Sequence, residues 1–166
     1  MMSELTIRRA ILDDAGGIAA IWEVITSEKR YSAVSRPFTL EEERAYIASL
    51  SDREAIFVAE LDGRIVGFQT IAQWAGYTPS FDHVGEVGTF VLPGYRGRGI
   101  GRALAKATLD FARQKGYEKL VIYVRATNHG AQAFYRSLGF VPIGVLTRQV
   151  KIDGQYDDEV VMEMFL

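Results

Sequence analysis

Residues 96 to 102 read Arg-Gly-Arg-Gly-Ile-Gly-Arg, a run that combines the residue types able to hold a phosphate. The alternate glycines Gly97, Gly99 and Gly101 let a backbone approach a ligand closely, because no Cβ stands in the way. A helix starting here adds unpaired N–H groups and the positive end of its dipole. Arg96, Arg98 and Arg102 bring positive charge to the same turn, and a diphosphate satisfies all of this chemistry. Two nucleotide motifs fail on spacing. The P-loop requires Gly-Lys-Ser or Gly-Lys-Thr, and neither occurs; the G-x-G-x-x-G fingerprint meets Arg102 or Leu104 where its third glycine belongs. For so short a match the competing reading is that the glycines serve turn geometry and the arginines serve solubility.

The elements around this run set its geometry. Val84 to Leu92 reads as a strand ended by Pro93-Gly94, and Gly99 to Lys115 reads as a helix ended by Gly116. The glycine run therefore lies at a strand-to-helix junction. Upstream, a strand over 4–9 precedes a helix capped by Asp13 or Asp14, with Ile18, Ile21, Trp22 and Ile25 on one face. Thr39 followed by Glu41, Glu42 and Glu43 starts a second helix. Ala55–Leu61 and Arg64–Gln73 flank Asp62-Gly63, a strong hairpin signal. Lys119–Val124 reads as a strand, and Asn128 opens a helix ending at Gly139. Strands over about 140–152 and 155–165 flank Asp153-Gly154. The order β-α-α-β-β-β-α-β-α-β-β predicts an α/β chain, a mixed sheet flanked by helices, as one domain over 1–166.

At this junction the chain resembles a known family. Arg96-x-x-Gly99-x-Gly101 is similar to the [Q/R]-x-x-G-x-[G/A] signature of the GNAT N-acetyltransferases, whose backbone amides bind the pyrophosphate of coenzyme A. Ala131 to Phe140 resembles the second signature of that family, A-x-x-x-Y-x-x-x-G-F, and the order of elements fits over essentially the whole chain. The resemblance implies a GNAT fold with a largely antiparallel sheet of about seven strands and about four helices. It also implies acetyl-CoA as cosubstrate and no metal. In look the chain stands nearest the branch that acetylates amino acids and analogues such as phosphinothricin, which makes a small primary amine the expected acceptor and a homodimer plausible. A peptide or protein acceptor, and an idle coenzyme A sensor, are the rival readings.

Roles follow residue by residue. Asn128 and Tyr135 are seven positions apart and share a helical face. Taken alone, Asn128 reads as an N-cap and Tyr135 as a core aromatic. By resemblance Asn128 meets the pantetheine or pyrophosphate arm, and Tyr135 lies near the thioester sulfur as general acid. Thr89, Phe90 and Val91, on the strand before the glycine run, join Arg96 to Arg102 (Ile100 included) as cofactor-binding candidates. The N–H of Phe90 or Val91 is the expected donor to the thioester carbonyl. Amine acetylation needs a neutral nucleophile, while a lysine-type amine has a pKa of about 10.4. Glu86 is the candidate base, against the alternative of a solvated carboxylate on a strand; it shares a face with Gly88 and Phe90. His83 is a weaker base candidate, and His129 reads as exposed. The resemblance also implies that this strand splays from the next, and Gly85 and Gly88 are compatible with a bulge there.

Composition closes off other classes. The chain has 166 residues, a net charge of −2 and no cysteine, which excludes thiolate nucleophiles, disulfides and Cys-based zinc sites. Interspersed charges leave no basic face for nucleic acid, and no apolar run is long enough to span a bilayer. A cytoplasmic protein is the default expectation. The acceptor pocket is expected between residues 28–38, 74–83 and the turn at Asp153-Gly154. Tyr31, Phe38, Trp74, Tyr77 and Phe81 in these segments would line it or close a core.

Overall fold

The computed structural model describes residues 3–166. Its elements are β1 (Leu5–Arg9), α1 (Ala15–Glu28), α2 (Leu40–Ser49), β2 (Ala55–Leu61), β3 (Arg64–Gln73), β4 (Val84–Val91), α3 (Ile100–Gln114), β5 (Lys119–Arg125), α4 (His129–Leu138), β6 (Val141–Ile152) and β7 (Gln155–Phe165). The strands form one seven-stranded sheet in the order β1-β2-β3-β4-β5-β7-β6. Only β4 and β5 pair in parallel; every other neighbour is antiparallel. The order of elements predicts the mixed sheet, and the family resemblance implies the largely antiparallel one of seven strands that is found.

Local chemistry explains the ends of the elements. The Thr39 hydroxyl accepts from the Glu42 N–H while the Glu42 carboxylate accepts from the Thr39 N–H, a reciprocal cap that fixes the start of α2. Both hairpin turns place Asp and Gly at positive φ: Asp62 and Gly63 at 51° and 80°, Asp153 and Gly154 at 51° and 76°. That is the two-residue turn whose twist matches the flanking strands. The loop over 74–83 contains a short 3-10 turn, Pro79–Phe81, and another such turn, Leu12–Asp14, leads into α1.

Two clusters of buried side chains hold the helices on the sheet. Ile56, Val58, Val66 and Phe68 pack with Ile18, Ile21, Trp22 and Ile25 of α1. Ile71, Val87, Leu120 and Ile122 pack with Phe111 of α3 and Tyr135 of α4. Because strand side chains alternate, Glu86, Gly88 and Phe90 of β4 face α1, and Val87 and Thr89 face α3 and α4.

One irregularity positions the site. β4 pairs with β5 only through Val84–Lys119, Gly85–Leu120 and Glu86–Val121. Beyond Glu86 the two strands diverge, while β5 stays paired with β7 from Lys119 to Arg125. The sheet thus forks, and Glu86 stands at the apex. The bulge anticipated at Gly85 and Gly88 is not what makes the fork: β3 and β4 stay in unbroken register from Gly67–Val91 to Gln73–Gly85. Gly85 is instead a packing glycine, since a Cβ there would lie 2.9 Å from Leu120 Cδ2 and 3.2 Å from the Tyr117 ring. No helix among the described residues is long and apolar enough to cross a membrane.

Candidate functional site

The fork opens into a cleft of about 910 Å³, bounded by the glycine turn, the start of α3 and the start of α4. Gly97 and Gly99 take φ of 74° and 82°, a region that L side chains rarely enter. Gly99 is the N-cap of α3 and supplies no side-chain cap. The first intrahelical bond runs from the Ala103 N–H to the Gly99 carbonyl. The N–H groups of Ile100, Gly101 and Arg102 therefore have no partner inside the helix and stand at its positive end beside the cleft. Gly101 serves a different purpose, because a Cβ there would lie 3.0 Å from the Phe134 ring. Its absence lets α3 and α4 close on each other at the floor of the cleft. These features fit the diphosphate of coenzyme A: unpaired amides, a positive dipole and an approach free of Cβ atoms.

The three arginines divide. The Arg96 guanidinium grips both Glu28 carboxylate oxygens at 2.9 and 2.7 Å and donates to the Val91 carbonyl at 2.9 Å. Much of its charge is thereby spent tying the end of α1 to the turn. Arg102 lines the cleft and donates to the Ser137 hydroxyl at 2.9 Å. Arg98 stacks over the Tyr95 ring at 5.3 Å and is not among the residues lining the cleft.

Tyr135 lines the cleft from α4 although only 6% of it is exposed. Its ring is wedged against Phe134 and Phe140, with centroids 5.1 and 5.4 Å away. Its hydroxyl hydrogen-bonds the Thr89 hydroxyl at 2.7 Å. Burial pushes the phenol up to about 12, with Thr89 pulling back only part of that shift. Asn128 combines both of its candidate positions. Its Oδ1 caps α4 by accepting from the Ala131 N–H at 3.1 Å, its Nδ2 donates to the Tyr31 carbonyl, and the residue lines the cleft.

Strand alternation separates the two candidate carbonyl donors. The N–H of Leu92 bonds the Val66 carbonyl, and the N–H of Trp74 bonds that of Val84, which fixes the parity of the β3–β4 ladder. On that parity the Phe90 N–H points into the ladder toward Phe68. It is already spent there, so Phe90 is corrected as an oxyanion donor. The Thr89 and Val91 N–H groups point the other way, into the fork.

The opposite face of the fork holds the acidic groups. Glu86 reaches solvent, yet partial burial of its carboxyl raises its pKa, and the nearby Glu159 carboxylate raises it further. Glu159 is itself raised, first by burial and then by Asp157. Arg125, paired with Asp157 at 2.8 Å, opposes that rise. Of the aromatics expected around an acceptor, Phe38 packs against Trp22 in the core and Tyr31 lines the cleft. Trp74, Phe81 and Tyr77 form an edge-to-face chain, and the Trp74 indole donates to the Tyr123 hydroxyl at 2.8 Å. Lys29 bonds Asp153 at 2.7 Å, which brings the hairpin tip to the end of α1. His83 stands outside the cleft lining, and His129 lines it at the start of α4. Sequence reasoning did not single out Glu159, Tyr123 or Gln69. Each becomes notable only through cross-strand pairing, which no local pattern encodes.

Comparison with known proteins points to one family. The profile of the "Acetyltransferase (GNAT) family" matches residues 18–140. The chain is 42% identical over 99 residues to N-alpha-acetyltransferase RimI of Mycobacterium tuberculosis, covering 58% of each chain. It is 27% identical over 111 residues to L-amino acid N-acyltransferase MnaT of Escherichia coli, covering 67% of this chain and 64% of that one. The matched stretch thus spans less than two thirds of either relative. Among solved structures, an N-acetyltransferase from Staphylococcus aureus Mu50 superposes with a TM-score of 0.91 at 26% identity, over 98% of this chain and 99% of that one.

Proposed function

Because this chain belongs to the GNAT acetyltransferase family, we propose that it transfers an acetyl group from acetyl-CoA to the primary amine of a small molecule, an amino acid or analogue. The observation that carries this reading is the fork. It opens β4 toward the cleft, with Tyr135 buried on one side and Glu86 at the apex on the other. The likeness to MnaT and the paired carboxylates Glu86 and Glu159, which attract an ammonium group, support the acceptor class.

In this reading acetyl-CoA supplies the acetyl thioester and a thiolate leaving group. The amides of Ile100, Gly101 and Arg102, with Gly97 and Gly99 beside them, hold the diphosphate. Asn128 and Tyr31 border the arm that leads to the fork. The Val91 N–H donates to the carbonyl oxygen as it gains charge. Glu86 takes the proton that the acceptor ammonium must lose, directly or through water. The Tyr135 hydroxyl donates to the departing sulfur. Attack by the amine on the carbonyl carbon forms the C–N bond as the C–S bond breaks, the proton left on the nitrogen passes to the released thiolate, and no covalent enzyme intermediate is required.

The test is release of free coenzyme A across amino acids, polyamines, aminoglycosides and short peptides. Turnover with a free amine supports the proposal. Activity on peptides alone would favour a protein or peptide acceptor, the second reading, which rests on the likeness to RimI. Tight acetyl-CoA binding without turnover of any amine would make the chain a sensor.

A pH profile tests the base. The raised pKa of Glu86 places the acid limb of kcat/KM above the ordinary carboxylate range, since the base must be ionised to accept a proton. Glu159→Gln removes a negative neighbour, so ionising Glu86 costs less and the limb moves to lower pH. A limb unmoved in Glu159→Gln and also in Glu86→Gln would remove Glu86 from the mechanism.

A homodimer is part of the proposal. β6 is an edge strand, and its Val141, Ile143 and Val145 are 59%, 53% and 58% exposed. A register shift at Ile143 turns Val141 and Val145 to opposite faces of this edge, and a second copy covering the edge would bury apolar surface that a lone edge leaves wet. Sedimentation is expected to give twice the 18.5 kDa chain mass, and the Ile143→Lys, Val145→Lys double variant is expected to sediment as a single chain.

A further inference from the structure

Tyr135 and Thr89 are two hydroxyls 2.7 Å apart, and only one proton lies between them. If Tyr135 donates to Thr89, its proton is spent in the wall of the cleft. If Thr89 donates to Tyr135, the phenol proton is free to face the sulfur. What decides between them is the group behind Thr89. Gln69 is a wholly buried polar residue on β3, 1% exposed, and its Nε2 donates to Thr89 Oγ1 at 2.8 Å. Its Oε1 faces away and has no partner among the described residues.

We propose that Gln69, acting through Thr89, is a positioning residue that directs the Tyr135 proton into the cleft. The Nε2 end of the buried amide is turned toward Thr89. With its oxygen accepting from Nε2, Thr89 keeps its own proton to give to Tyr135, and the accepted bond makes it a stronger donor. A reversed amide would present Oε1 to Thr89, take up that proton and force Tyr135 to donate backwards. The orientation of one buried amide thus sets the direction of the chain Gln69 to Thr89 to Tyr135.

This inference rests on Tyr135 donating to the sulfur, and a double-mutant cycle separates the two claims. Gln69→Leu is expected to lower kcat about tenfold, with the acetyl-CoA Kd unchanged. In a Tyr135→Phe background the same change should cost nothing more, since the group it positions is gone. Thr89→Val should behave like Gln69→Leu, and Thr89→Ser should restore activity; this pair also serves if Gln69→Leu folds poorly. Equal losses from Gln69→Leu in both backgrounds, or no loss in the wild-type background, overturn the relay while leaving Tyr135 in place. A silent Tyr135→Phe overturns both claims.

Discussion

Tyr135→Phe is expected to lower kcat by about 100-fold while leaving the Kd for acetyl-CoA within about twofold. The substitution keeps the ring and its packing on Phe134 and Phe140, so the cofactor groove keeps its shape. The Thr89 hydroxyl retains its bond from Gln69, which limits the folding cost to about 1 kcal/mol. What is lost is a donor aimed at the fork. The phenol, pushed up to about 12 by burial, stays protonated through any practical assay range. It should therefore put no basic limb on the rate profile below about pH 11. The same value bounds its chemistry. A thiol of pKa about 8.5 leaves a thiolate too weak to take the proton fully; complete transfer would run uphill by about 5 kcal/mol. Tyr135 thus acts chiefly as a hydrogen-bond donor to the sulfur as charge builds there. That is why the expected loss sits near the value for one oxyanion donor, below the upper range of general acid catalysis. Single-turnover kinetics with saturating acetyl-CoA measure it, and an unchanged rate would remove Tyr135 from the chemistry.

Much of the scaffold was legible in the sequence because its signals are local. Asp62-Gly63 and Asp153-Gly154 announce turns whose positive φ few other pairs accept, and Gly116 and Gly139 mark helix ends in the same conformation. The apolar spacing of Ile18, Ile21, Trp22 and Ile25 gives the face that α1 buries. The glycine turn was visible for the same reason: Gly97 and Gly99 record backbone geometry directly. The site was less legible where it depends on which strand lies beside which. Val91 and Phe90 look alike in sequence, and only the parity of the ladder, fixed at Leu92 and Trp74, turns one N–H into the fork and the other into the sheet. Glu159 comes near Glu86 only because β7 pairs with β5, a pairing between residues far apart in the chain. Arg96 reads as a phosphate ligand until Glu28, 68 residues away in the chain, takes both ends of its guanidinium. Gln69, in a strand of otherwise ordinary pattern, carries no local mark of its burial.

Gly99→Val is expected to weaken acetyl-CoA binding by about 100-fold or more while the protein still folds. Two effects act, and their sizes differ. At a φ of 82° a branched side chain strains the backbone, costing about 1–2 kcal/mol. The first atom of that side chain meets no atom of the described residues within 4 Å, so no steric clash at Cβ adds to the strain. Relief of the strain by a shift in φ turns the N–H groups of Ile100 and Gly101 away from the cleft. Loss of two bonds to a charged phosphate, each worth about 1.5–3 kcal/mol, then accounts for the loss of affinity. Gly94 separates the two effects. It has nearly the same φ, 84°, equally open surroundings, and no place in the lining of the cleft. Gly94→Val should therefore lower the melting temperature about as much as Gly99→Val and leave acetyl-CoA affinity close to wild type. Calorimetric titration of both variants with acetyl-CoA decides the matter. Equal loss in both would mean that the turn supports binding only through overall stability, and unchanged affinity in Gly99→Val would place the diphosphate elsewhere.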